Sequence, residues 1–197
     1  MKIRNIMTMA KAVSLLSSPF YLPIIGLAAL FTFSYKVFVL IMVYLFTCLL
    51  PTTLIRLYHS YHGWTPFEFG ARERRIIPYV VSILCYFTCY YVMMLMHMPH
   101  LMGSIVVAAL ATQVVCAMIN MWWKISVHMA AIGAMAGSLA SFAAIFMFNP
   151  IWWLSVIILF AGIIGSARMI LRQHTLRQIY IGFIIGVMTG AITVITV

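Results

Sequence analysis

A chain of 197 residues that is 65% hydrophobic and only 7% charged cannot clothe a water-soluble surface. Its formal charge is +10, from twelve Lys and Arg against two acids, Glu68 and Glu73, with no aspartate anywhere. An integral membrane protein follows, and several chemistries fall away with the carboxylates: paired-acid glycoside hydrolysis, carboxylate-held two-metal catalysis and any triad that needs an aspartate.

The apolar runs are continuous rather than alternating, and hydrocarbon admits only helices or closed barrels, so helices are expected. A span needs about 20 apolar residues. In chain order, the amino-terminal stretch carries Lys2, Arg4 and Lys11 ahead of an apolar run without a clear small-residue cleavage site, and reads as retained. Seven segments then qualify as spans: 18–34, 37–57, 78–97, 101–120, 126–148, 151–168 and 178–196. The first is short and holds Pro19 and Pro23, which suits a tilted or re-entrant segment. Between the second and third lies the one polar stretch, 58–77, read as a loop from Gly63, Pro66 and Gly70. "HMPH" (97–100) and "FNPIWW" (148–153) read as tight turns. The expected fold is all-α: a polytopic membrane bundle of six to seven transmembrane helices forming one domain over residues 1–197.

Within these runs Cys48, Cys85, Cys89 and Cys116 read as buried apolar side chains, and no second cysteine pair completes a metal site. The Met-rich and aromatic runs read as core packing and interfacial belts. "GAMAG" (133–137) fits close helix packing.

Counting sides gives an orientation. With seven spans, the amino terminus and the connections near 58–77, 121–125 and 169–177 share one face, and only Lys36 of the twelve cations lies on the other. Cytoplasmic loops concentrate Lys and Arg, so the first face is expected to be cytoplasmic. The charge is membrane-flanking; anionic lipid is its natural partner and nucleic acid is not expected.

The same topology gathers three polar clusters on that face: "RERR" (72–75), "WWKISVHM" (122–129) and "SARMILRQH" (166–174). Cationic anchoring at helix ends explains arginines there, but not a histidine after each of two clusters at the start of a span. His174 and Gln178 are four apart and share a helix face. Gln178 can accept a hydrogen bond from one imidazole nitrogen and leave the other outward. Arg168, six residues before His174, offers a fork of donors suited to phosphate oxygens. Ser126 is placed as an N-cap, where its hydroxyl and the first-turn N–H groups suit an anion, and His128 follows where it could donate a proton. No metal or other cofactor is needed for such a site. Haem or quinone binding is disfavoured, because neither histidine is mid-span.

These residues resemble the type 2 phosphatidic acid phosphatase superfamily, in a divergent bacterial branch, over roughly residues 70–190; the resemblance implies a bacterial inner membrane. Arg168, five residues, His174, three residues and Gln178 reproduce the spacing of its S-R-x5-H-x3-D motif; "ISVH" (125–128) resembles P-S-G-H; "RERRIIP" (72–78) weakly echoes K-x6-R-P. The resemblance implies a lipid phosphate phosphatase with His174 as nucleophile, His128 as general acid and Arg168 with cations near 72–75 as phosphate clamp. A non-catalytic relative that binds or transports a lipid phosphate is the alternative. The chain departs from the pattern in three places. Gln178 stands where the family has aspartate. Ile125 and Val127 stand where it has Pro and Gly. Glu68 stands where it has Lys, so Arg72, Arg75 or Lys124 would supply that cation. The family's site also faces away from the cytoplasm, opposite to the charge count here.

Overall fold

The computed structural model describes residues 2–16, 36–62 and 72–196; the sequence-predicted span at 18–34 and Glu68 lie outside the described residues. Among the described residues there are seven helices and no strands, and six helices are long and apolar enough to cross a membrane. Helix α1 is Lys2–Leu16. Helix α2 runs Lys36–Tyr44, through a π-helical turn Leu45–Leu49, into Leu50–His62. Then come α3 (Arg72–Leu95), α4 (His100–Trp122), α5 (Val127–Phe146), α6 (Ile151–Ile170) and α7 (Leu176–Thr196). The chain is a polytopic all-α membrane bundle.

Local chemistry explains the interruptions. Pro51, fully buried, has no N–H to give the preceding turn and crowds it, and the ladder widens there: the Leu50 N–H bonds to Leu45 O. The polar stretch 58–77 is more helical than the sequence suggested. α2 continues to His62 and α3 begins at Arg72, because a helix that has left hydrocarbon keeps its backbone bonds in water. The turns after α3, α5 and α6 each use a non-glycine residue in the left-handed region: His97, Met147 and Arg172, with φ of 51°, 54° and 51°.

Side by side the helices run α2–α3–α4–α7–α5–α6–α1, and α4 also touches α5. α5 is the most enclosed span, and its pairing with α7 is the most extensive in the molecule. The two run parallel with backbones almost touching. A methyl added at Gly186 would overlap the Ala130 carbonyl, and one at Gly190 the Ala134 carbonyl; Gly133 and Gly137 meet the Phe183 and Val187 carbonyls from the other side. Lipid offers no hydrophobic drive between spans, so contact of this kind supplies the association. Polar links run along the seam: Ser141 Oγ donates to Ala191 O at 3.2 Å, and Thr112 Oγ1 and Thr189 Oγ1 join α4 to α7 at 2.8 Å. Tyr86 on α3 and Gln113 on α4, both buried, hydrogen-bond each other. All four cysteines are free and buried.

Candidate functional site

The α5–α7 register decides what meets at the charged end of the bundle. Gly182, in the second turn of α7, lies against the Ser126 carbonyl and Ile125, so the start of α7 is level with the connection that holds Lys124. α6 reaches the same level from the opposite direction. Its inward stripe, Ile157, Ala161 and Ile164, packs on α5, and Arg168 is one turn further along that stripe, half-buried in the last turn. Gly165 on α6 sits against Met129 of α5 and Ile179 of α7, which closes the triangle.

The five-residue spacing between Arg168 and His174 is the length of one helix-ending turn. Leu171 N–H bonds to Ala167 O at 3.0 Å, Arg172 N–H to Met169 O at 2.9 Å and Gln173 N–H to Arg168 O at 3.2 Å. With Arg172 in the left-handed region, these bonds satisfy the carbonyls that end α6 and reverse the chain at once. His174 emerges beside Arg168, ahead of α7.

His174 Nδ1 and Gln178 Oε1 are 3.2 Å apart, as the four-residue spacing predicts. The same Oε1 accepts the Thr175 backbone N–H at 3.1 Å. This second bond is the return half of a capping box, and "TLRQ" (175–178) carries its sequence signature of Thr followed three residues on by Gln. The sequence reading used Gln178 for the histidine alone and missed its service to the helix.

The electrostatics bind the cluster together. Burial first, then the charges of Arg168 and Lys124, push the His174 imidazole down to about 4, against a smaller upward pull from its bond to Gln178. His174 is therefore neutral at pH 7, with an unprotonated lone pair beside two fixed cations. Such a place attracts an anion and offers it a nucleophile.

Ser126 occupies the N-cap position of α5 in extended backbone, φ −87° and ψ 101°, as the sequence indicated. Its side chain does not cap the helix. The residue is 0% exposed, and among the described residues its Oγ has no hydrogen-bond partner. A buried hydroxyl beside first-turn N–H groups is suited to an acceptor brought in from outside. His128 lies half-buried in the first turn of α5, at the same end of the bundle.

The structure thus brings together Arg168, Lys124, His174 and Gln178, with Ser126 and His128 opening the adjacent helix. The backbone of Arg72 and Arg75 opens α3 at this end too, while their side chains lie outside the described residues. No group of three or more His, Cys, Asp or Glu that could hold a metal ion occurs among the described residues. No family model, curated protein or solved structure matches the chain.

Proposed function

We propose that the chain is an integral-membrane lipid phosphate phosphatase that hydrolyses a phosphomonoester or diphosphate of a lipid through a phospho-histidine. The observation that carries this reading is His174, held neutral between Arg168 and Lys124 with Nδ1 engaged by Gln178. The resemblance of Arg168–His174–Gln178 and of "ISVH" to the type 2 phosphatidic acid phosphatase motifs supports it. His174 Nε2 attacks phosphorus, the P–O bond to the lipid breaks, and His128 protonates the leaving oxygen. Arg168 and Lys124, with Arg72 and Arg75 as further candidates, neutralise charge on the phosphoryl oxygens, and Ser126 donates to one of them. Water, giving its proton to the now-neutral His128, then cleaves the P–N bond, releasing inorganic phosphate and regenerating both histidines. The resemblance favours a bacterial inner membrane, and the crowding of cations at the site's end of the bundle favours the cytoplasmic side for the site.

The test is phosphate release by the purified full chain from phosphatidate, phosphatidylglycerol phosphate and a polyprenyl diphosphate, with His174→Ala and His128→Ala alongside. Release that both substitutions abolish is expected. No release from any of the three lipids would sink the enzymatic reading.

A non-catalytic lipid phosphate binder is the second reading. The observation favouring it is the Gln178 amide, which brings no charge to support an imidazolium and already serves the α7 cap. Acid-labile, base-stable label trapped on the protein from a radiolabelled lipid phosphate, absent in His174→Ala, would exclude it.

A further inference from the structure

Gln178 holds two donors on one oxygen, and this settles more than the spacing of the motif can. An amide's oxygen and nitrogen are assigned from their partners. Here one partner leaves no choice. The Thr175 backbone N–H can only donate, and at 3.1 Å it faces the amide atom that must therefore be the acceptor oxygen. His174 Nδ1, 3.2 Å from that same oxygen, must then carry a hydrogen to bond it. The other ring nitrogen, Nε2, is left with the lone pair.

We propose that the Thr175 backbone N–H and the Gln178 carboxamide form a charge-free clamp that fixes His174 as the Nδ1–H tautomer, with Nε2 as its nucleophilic atom. Thr175 and Gln178 are positioning residues in this scheme; they act through His174. It rests on the reading of His174 as the nucleophile and adds how that nucleophile is set without a carboxylate. The clamp is inexpensive in structure, because the bond that orients the amide also caps α7. It also has a consequence that a carboxylate at the same place would not have. A carboxylate would hold the same nitrogen but favour the protonated ring and cancel part of the anion-attracting charge. The charged groups acting on the ring are Arg168 from α6 and Lys124 from the α4–α5 connection, both cationic, and the α7 partner is neutral. The amide keeps the pocket's full positive charge for the substrate and keeps the ring ready to attack in mildly acidic conditions. It leaves the phospho-histidine without an anionic partner, so the intermediate stays electrophilic for water.

The experiment is nitrogen-15 NMR of histidine-labelled full chain in nanodiscs, with the His174 signals assigned by their loss in His174→Asn. Expected for the wild type are a protonated Nδ1 and a lone-pair Nε2, unchanged from pH 8 to about pH 5. In Gln178→Glu the same tautomer should persist, with the ring titrating at a midpoint raised at least about tenfold in proton affinity. In Gln178→Ala the Nδ1–H preference should vanish. A wild-type ring protonated on Nε2 would overturn the clamp, and so would a Gln178→Ala spectrum identical to the wild type. These readings need no turnover, so they stand apart from the phosphatase reading. A protein that shows the tautomer signature yet releases no phosphate from any lipid keeps the clamp and loses the enzyme.

Discussion

His174 is uncharged at neutral pH although it lies at the wet end of a helix, where imidazoles ordinarily titrate near 6.5. Its folded-state value of about 4 lies below the unfolded one, so the unfolded chain takes up the proton first on acidification. The stability linked to this ring is present above about pH 6.5, declines as pH falls and is gone by about pH 4. For a half-buried ring screened by solvent the effect is about 1 kcal/mol. Unfolding of the wild type and of His174→Asn, followed from pH 7 to pH 4, should show the wild type losing that increment relative to the variant. The low-pH limb of phosphate release should likewise fall near pH 4 rather than 6.5. Arg168 is expected to matter twice, as phosphate ligand and as suppressor of imidazole protonation. Arg168→Ala should reduce release about a hundredfold or more, with Arg168→Lys recovering part of it by charge without the planar fork. At this scale much was legible in advance. His174 and Gln178 follow from their four-residue helical spacing, while Arg168 was tied to His174 by the resemblance to the S-R-x5-H-x3-D motif. The idle hydroxyl of Ser126 was not legible, because N-cap geometry and N-cap hydrogen bonding are separate matters: the residue has the backbone of a cap while its side chain makes no capping hydrogen bond.

At the scale of elements, the α5–α7 seam holds the cluster in place. Ser126, Arg168 and His174 come from three segments; the depth of contact between α5 and α7 sets the level of Ser126 against His174, and the packing of α6 on both brings Arg168 to it. Gly186 and Gly162 make a controlled comparison. A methyl at Gly186 meets the Ala130 carbonyl, while one at Gly162 on α6 meets nothing within 4 Å. Gly186→Ala should destabilise the protein by about 1–3 kcal/mol through forced separation of the helices. Gly162→Ala should be neutral or slightly stabilising, as expected of an open helical site. Denaturant titration in mixed micelles, reading helicity, distinguishes them. If the two variants behaved alike, the seam would not be the close contact described. The α6–α7 turn offers a test in the other direction: exposed Arg172 holds φ 51°, so Arg172→Gly should gain up to about 1 kcal/mol. Half of the seam could be read from "GAMAG". The other half, Gly182, Gly186 and Gly190 at four-residue intervals, was equally visible in the sequence but passes as background in a long apolar run until its partner is known. The π-turn was not readable: Pro51 announces a disturbance in α2, but only packing decides whether the chain kinks or widens its ladder.

For the molecule as a whole, the spans follow from the sequence because hydrocarbon demands them; six of the seven expected segments correspond to described helices, and 18–34 lies outside the described residues. Lateral order was not legible, since apolar faces toward lipid and toward other helices have the same composition. Orientation depends on where the cations fall. Arg56, Arg172 and Arg177 lie at the site's end of the bundle and are not needed by the chemistry, against Lys36 at the other. Setting aside Lys124 and Arg168 as proposed substrate ligands therefore leaves the bias intact, and the site's end is expected to face the cytoplasm. Thiol labelling can decide this without a cysteine-free background, because Cys48, Cys85, Cys89 and Cys116 are all buried. Gln173→Cys, exposed in the α6–α7 turn, should resist a membrane-impermeant maleimide in spheroplasts and react once they are permeabilised. Asn149→Cys, exposed in the α5–α6 turn, should react in both. The reverse pattern would put the site outside, where the resembled family has it. The arginines would then be held at that face by their substrate against the orientation that insertion normally gives them.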